Sequence, residues 1–295
     1  MVVKSSEYLV SEATRNETKI SQIVLRDEQT DSEESAAEIR NRLGKAYEAM
    51  KNAATNGINS KMRSISGMTG GDAAKYYNYS KNGNTIFGSD FCSRAVSYAL
   101  ATSEYNASMG VIVAAPTAGS AGIMPGAFIA AQETHGFSDK DMINALLTAG
   151  GIGAIISDKA SLAGAVAGCQ AECGSAAAMT AAGLCELFGG TPAQCVDAAA
   201  LALKNCLGLA CDPVAGLVEV PCVKRNGVYT VFAITACDKA LAGIKSFVPF
   251  DEVVSAMYRI GISLPSSIRE TGEGGLAATP TGVCAKNRIF GEKKK

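Results

Sequence analysis

Apolar positions recur at helical spacing through most of this chain, and clusters of Gly, Pro, Ser, Thr and Asp punctuate them. Ser35-Ala-Ala-Glu-Ile-Arg-Asn-Arg-Leu43 predicts an exposed amphipathic helix reaching about Ala54, with Ser35 as N-cap and Glu38 completing a capping box. The acidic stretch before it, Asp27 to Glu34, reads as a loop. Residues 61–75 read as a Gly-rich loop feeding a helix, and helical spacing returns from Phe91 to Thr102. Ala114 to Gly126 is a second Gly/Pro-rich loop between apolar helices. Gly136 closes one helix, and Ser138-Asp-Lys-Asp141 opens the next with a capping box. A long Ala-rich helix is predicted from about Ala171 to Phe188. Gly189-Gly190-Thr191-Pro192 ends it, and Thr191 caps another helix running from Pro192 to about Leu207. The segment from Cys211 to Cys222 is an irregular crossing. Helices follow over Val231–Ala242 and Phe250–Ile260, and the stretch from Gly272 to Gly282 reads as loop. No period of repeat-protein length is present. The fold class predicted is mostly α, a compact helical bundle with Gly/Pro-rich functional loops.

Composition sharpens this picture. The chain has 295 residues, 31 Gly, no Trp and few aromatics, which favours close helix packing over a sheet of Val, Ile and Tyr. Residues 1–60 hold 18 of the 55 charged side chains and read as a charged N-terminal helical arm. Residues 61–291 read as the catalytic helical domain and 292–295 as a basic tail. The net charge of −1 gives no field to attract nucleic acid or an anionic membrane. Tyr105 to Gln132 is uncharged and long enough to span a bilayer, but Pro116, Pro125 and four glycines interrupt it. A buried, broken pair of helices is the expectation, with no membrane segment. The 10 cysteines, in a long Ala-rich chain with no secretory leader, imply a reducing, cytoplasmic compartment rather than a disulfide scaffold.

Three cysteines stand apart because each adjoins a Gly- or Pro-marked turn: Cys169 after Gly168, Cys211 before Asp212-Pro213, and Cys222 after Pro221. A thiolate at a helix N-terminus has a lowered pKa and ligates metal readily. Three thiolates suit an iron–sulfur cluster with one open iron. Their wide separations match neither ferredoxins nor zinc fingers, so the residues alone fit three ligands or three core thiols equally well. Cys185, Cys195, Cys206, Cys92 and Cys237 read as core; Cys173, one turn after Cys169 and on its face, reads first as core with a further ligand as the alternative, and Cys284 as a free thiol in a loop with a fourth thiolate as the alternative. Two Gly-rich loops, around Ser66-Gly67 and Thr117 to Ser120, offer N–H groups and hydroxyls suited to a substrate carboxylate. Neither carries the Lys of a P-loop. Either loop fits a plain helix junction as well. The single histidine, His135, reads as a helix C-terminal residue, which removes His-rich metal sites, so an α-proton abstraction would need Lys, Glu, a Ser/Thr alkoxide or a residue from another chain. A pyridoxal-phosphate enzyme is disfavoured, since no lysine stands in a suitable context.

The segments SGMTGGDA, NASMGVIVAAPTAGSAGIMPG, AGCQAECGSAAAMTAAG, CDPVAGLVEVPCVKRN and DEVVSAMYRIGISLPSSIRETGEGGLAATPTG together resemble iron–sulfur-dependent L-serine dehydratase, in the α chain of its two-chain form. The likeness runs over roughly residues 60–291. The resemblance implies a [4Fe–4S] cluster on Cys169, Cys211 and Cys222, with the fourth iron acting as a Lewis acid on L-serine. The products would be pyruvate and ammonia, in amino-acid metabolism that feeds gluconeogenesis. It places Ser66, Gly67, Thr117 and Ser120 as candidate substrate contacts. It also implies a separate β chain in a hetero-oligomer, from which the base or a substrate-orienting histidine would come. The chain departs from the family pattern before Cys169, where Ala163 replaces a serine and Ala167 a glycine, and at Cys173, where an aliphatic residue is common. The competing reading is a helical interaction subunit with a structural metal site and no catalysis of its own.

Overall fold

Capping and apolar spacing build a succession of α-helices over the described residues, 5–59 and 63–291 of the computed structural model. In chain order these are α1 (Ser6–Arg15), α2 (Ile20–Ser32), α3 (Ala36–Asn59), α4 (Asp72–Lys81), α5 (Asp90–Ala107), α6 (Ile123–His135) and α7 (Asp139–Lys159). There follow α8 (Gly164–Ala167), α9 (Ser175–Leu187), α10 (Pro192–Lys204), α11 (Cys222–Leu241), α12 (Phe250–Ser263) and α13 (Pro280–Phe290). No strand occurs among the described residues beyond one isolated bridge, Cys211 with Arg269. The mostly-α class is as expected. No helix among them is long and apolar enough to cross a membrane. The basic tail, 292–295, lies outside the described residues.

The central helix is α9. Every residue from Ser175 to Glu186 is buried, because Ala and Gly let α7, α10, α11 and α6 approach on all sides. One close approach decides a residue outright. Gly126 in α6 faces α5, and a Cβ there would sit 2.6 Å from the Ala95 carbonyl oxygen. Helices α1 to α3 join the same core through Leu9, Ile20, Ile23, Val24, Ile39, Tyr47 and Met50. Glu186, buried at the end of α9, accepts from the Ser21 amide (3.0 Å) and the Thr148 hydroxyl (2.6 Å), tying α2 and α7 to the centre.

The expected caps form. Ser138 exchanges bonds with Asp141, Thr191 with Gln194, and Ser35 with Glu38. Gly136 ends α6 with φ 73°. Four expectations are corrected. Asp27 to Glu34 is largely helical: Ile23 and Val24 give α2 a buried face, and its charges pair across helices, Arg26 with Glu12 and Arg42 with Glu28. The Ala-rich helix does not begin at Ala171. A π-helical turn, Gln170–Gly174, precedes α9. Helix α11 starts at Cys222 itself, well before Val231. Finally, Cys284 lies on α13 rather than in a loop: Thr279 caps this helix and Pro280 occupies its first position.

Candidate metal and substrate site

The site forms where the turn before α9 meets the crossing between α10 and α11. Gly168 has φ 76° and frees the chain to turn after α8, so Cys169 heads the π-helical turn with its side chain inward, 2% exposed. Wide helical turns of this kind re-aim side chains that a regular helix would space differently. Gln170, fully buried, holds the turn in place. Its Nε2 donates to the Ala167 and Met257 carbonyls (both 2.9 Å), and its Oε1 accepts from the Gly208 amide (2.8 Å). That draws residues 208–211 alongside Cys169. Cys211 is then clamped from the other side: its amide donates to Ile268 O (2.9 Å) and its carbonyl accepts from Glu270 N (2.7 Å).

Sulfur atoms converge here. The Sγ atoms of Cys169 and Cys173 are 3.4 Å apart, and Cys211 packs in the same buried cluster. Bonds from Cys173 and Cys211, aided by the Arg225 guanidinium, hold Cys169 well below the ordinary thiol range. Cys173 is correspondingly pushed up, first by its bond to the Cys169 sulfur and then by burial. Cys222 opens α11, and burial followed by the Cys169 charge pushes it up to about 12. Arg225, one turn into α11, donates to Ala210 O (2.9 Å) and to Asp212 (3.0 Å) beside Cys211. Of the three predicted ligands, Cys169 and Cys211 share one buried cluster; Cys222 is buried at the start of α11, where the Cys169 charge acts on it. Cys173, read as core from the sequence, belongs to the same sulfur cluster.

Two carboxylates that the sequence reading missed face these sulfurs. Glu172 is 8% exposed, and its carboxylate, the Cys211 thiol and the Glu270 carboxylate lie within 4.8 Å of one another. Burial, then the charges of Cys169 and Glu270, raise Glu172 from 4.5 to about 7. The signal was present: Glu172 is an acid inside an otherwise apolar run, and such a residue is rarely buried without a task. Glu270 carried no local signal, since a single bridge from a distant loop delivers it.

The predicted substrate loops divide. Thr117 donates to Glu172 (2.7 Å) and lies 3.1 Å from the Ser120 hydroxyl, so both border the sulfur site. Asn226, 1% exposed, fixes this loop to α11: its Nδ2 donates to Gly119 O and Cys222 O (both 2.8 Å), and its Oδ1 accepts from Gly122 N (2.9 Å). Ser66 instead donates to Glu219 (2.6 Å) and accepts from Met68 N (3.0 Å), while Gly67 turns with φ 73°. Glu219 belongs to the crossing between Cys211 and Cys222, so the two loops flank that crossing and are tied to different carboxylates.

Of the remaining cysteines, four lie in the core as expected, while Cys92 is only partly covered and Cys284 stands on α13. Cys185, Cys195, Cys206 and Cys237 are buried, Cys92 is half-buried and Cys284 is exposed. His135 ends α6 exposed, with its ring edge-on to Phe91 and Phe188.

The donor set fits a metal–sulfur group. Soft buried thiols converge beside a guanidinium that offsets their charge. Gly164 keeps the wall open, since a Cβ there would sit 3.1 Å from the Cys211 sulfur and 2.7 Å from Glu172.

Comparison with known proteins agrees with this geometry. A family model described as serine dehydratase alpha chain matches residues 15–277. A probable L-serine dehydratase alpha chain of Bacillus subtilis is 48% identical over 272 residues, covering 92% of this chain and 90% of the relative. The L-serine dehydratase alpha chain of Peptoniphilus asaccharolyticus is 47% identical over 264 residues, covering 90% of each. L-serine dehydratase 1 of Escherichia coli is 44% identical over 184 residues, covering 61% of this chain but 40% of that longer protein. With the matched region holding both loops and all the clustered sulfurs, this chain belongs to the serine dehydratase alpha chain family.

Proposed function

We propose that this chain is the α subunit of an iron–sulfur L-serine dehydratase, converting L-serine to pyruvate and ammonia. The observation that carries the reading is the buried cluster of Cys169, Cys173 and Cys211, with Gly164 against the Cys211 sulfur and buried Cys222 joined through Asn226 to the 117–120 loop. Cys169, Cys211 and Cys222 would hold a [4Fe–4S] cluster, which when bound supplies Lewis acidity toward the substrate hydroxyl.

The chain's own groups account for several further tasks. Arg225 offsets thiolate charge and anchors the Cys211 segment through Ala210 and Asp212. The hydroxyls of Thr117 and Ser120 orient the substrate carboxylate at the inner loop, with Ser66 and Gly67 presenting the outer wall. Glu172, with a pKa near 7 and one oxygen engaged by Thr117, holds a proton at neutral pH for the departing hydroxyl oxygen. The single imidazole of the chain, His135, packs against Phe91 and Phe188 rather than at the sulfur cluster. The acceptor of the α-proton is therefore assigned to a separate β chain, making the active enzyme a hetero-oligomer. The catalytic body spans residues 61–291, and the arm of residues 1–60 braces it.

The test is anaerobic purification with iron and sulfide analysis, with and without the β chain. Cys169→Ala, Cys211→Ala and Cys222→Ala each lose iron, while Cys195→Ala retains it. Equal iron in all four variants sinks the ligand assignment. Tightly held zinc without iron or sulfide would replace the lyase with a structural metal subunit.

A further inference from the structure

The structure also offers a surface for that second chain. Resting on the two-chain reading above, we infer that the β chain docks on the paired apolar grooves flanking α13. This helix leans mainly on the turns Val214–Gly216 and Gly275–Ala278, and Gly282 is its one buried residue. On one side lies a cavity of about 880 Å³ walled by Met68, Val214, Val220, Leu276 and Pro280. On the other lies one of about 640 Å³ walled by Ile65, Met109, Leu217, Val218 and Phe290. Arg288 lines both and stands exposed at their seam, where it can pair with a carboxylate of the partner. Ile65 is 84% exposed, Met109 77% and Phe290 60%. Large apolar side chains gathered around one groove mark an interaction face.

Position argues for the occupant. The floor of the second groove, Leu217 to Glu219, is the crossing between Cys211 and Cys222, and Val218 packs at Gly119 beside the Thr117–Glu172 pair. Whatever fills the grooves closes the outer wall of the sulfur pocket and meets Ser66 and Gly67. A second copy of this chain would bring only His135 as an imidazole, and that ring is already engaged edge-on with Phe91 and Phe188 and by the Thr134 hydroxyl (2.8 Å). The Escherichia coli relative holds the matched region in 40% of its length, whereas the match spans 90% of the Bacillus subtilis and Peptoniphilus alpha chains. The additional material of the long relatives thus reaches the alpha chains as a separate polypeptide, and a face bordering the site is where it must act.

The test uses the full α chain and the β chain, mixed anaerobically and followed by light scattering after size exclusion. Ile65→Glu, Met109→Glu and Phe290→Glu each weaken α–β association by about tenfold or more. Because all three side chains are exposed, helicity and iron content stay as in the parent. Phe247→Glu, a change at an apolar residue 97% exposed on another surface, leaves association intact. Parent-like β binding by the triple variant overturns the surface assignment while the two-chain reading stands. So does loss of an α homodimer with β binding retained. Full turnover by the parent α chain alone, without affinity for β, overturns the two-chain reading itself.

Discussion

Glu172 shows how much one side chain can depend on its surroundings. Its carboxylate is buried against Cys211 and held by Thr117, and its pKa rises from 4.5 to about 7. A raised carboxyl pKa means the folded state binds the proton more tightly than the unfolded state. The associated stability is therefore present below pH 4.5 and is lost as pH rises toward 7. One pKa unit is worth about 1.4 kcal/mol, so the loss is on the order of 3 kcal/mol. In the cluster-free protein, urea midpoints should fall across that window, and Glu172→Gln should flatten the fall. An identical slope in both proteins would show that Glu172 is not the group titrating. The sequence marked Cys169, Cys211 and Cys222 through their Gly and Pro neighbours, but left Cys173 in the core. Helical periodicity put Cys173 on the face of Cys169 without revealing that the π-helical turn brings the two sulfurs to 3.4 Å.

At the scale of elements, helix ends were the most legible feature. Ser138 with Asp141 and Thr191 with Gln194 form the boxes that their spacing predicts, because a cap bonds within three residues and is encoded where it acts. Helices α2 and α13 were misread for opposite reasons. The acidic end of α2 looks like loop until Arg26 of the same helix pairs with Asp27 and Arg42 of α3 with Glu28. Helix α13 follows a Gly-rich turn and buries almost nothing, so no apolar stripe announces it. Packing between helices is open to a direct test at Gly126. Gly126→Ala forces its Cβ toward the Ala95 carbonyl and parts α5 from α6, at a cost of about 1–3 kcal/mol. A lowered urea midpoint with unchanged helicity is the expected result. An unchanged midpoint would mean the two helices are not in close contact.

The whole molecule is organised around α9, and the charged arm is part of that organisation. Leu9, Ile20, Ile23 and Val24 are buried in the common core, and the Ser21 amide joins the Thr148 hydroxyl in donating to one oxygen of the Glu186 carboxylate. Each such aliphatic side chain contributes about 1.5–3 kcal/mol by burial. Domains rarely hold more than about 5–15 kcal/mol in all. Removing residues 1–33 should therefore leave a chain that does not fold cooperatively, as read by thermal melts and dye binding to exposed apolar surface. A truncated protein melting at the parent temperature would make the arm dispensable.

By itself the sequence determined the helical class, most caps, the two Gly-rich loops and the family, and it set Cys169, Cys211 and Cys222 apart by the turns beside them. These are encoded by neighbours three or four residues apart, or by short motifs carried intact. Only the tertiary structure decided that Glu172, Cys173 and Glu270 share a pocket with Cys211, and that Asn226 ties the inner loop to Cys222. It also decided that α13 stands between two grooves. Those outcomes depend on which distant segments a close-packed Ala/Gly core brings side by side, and no local pattern records that choice.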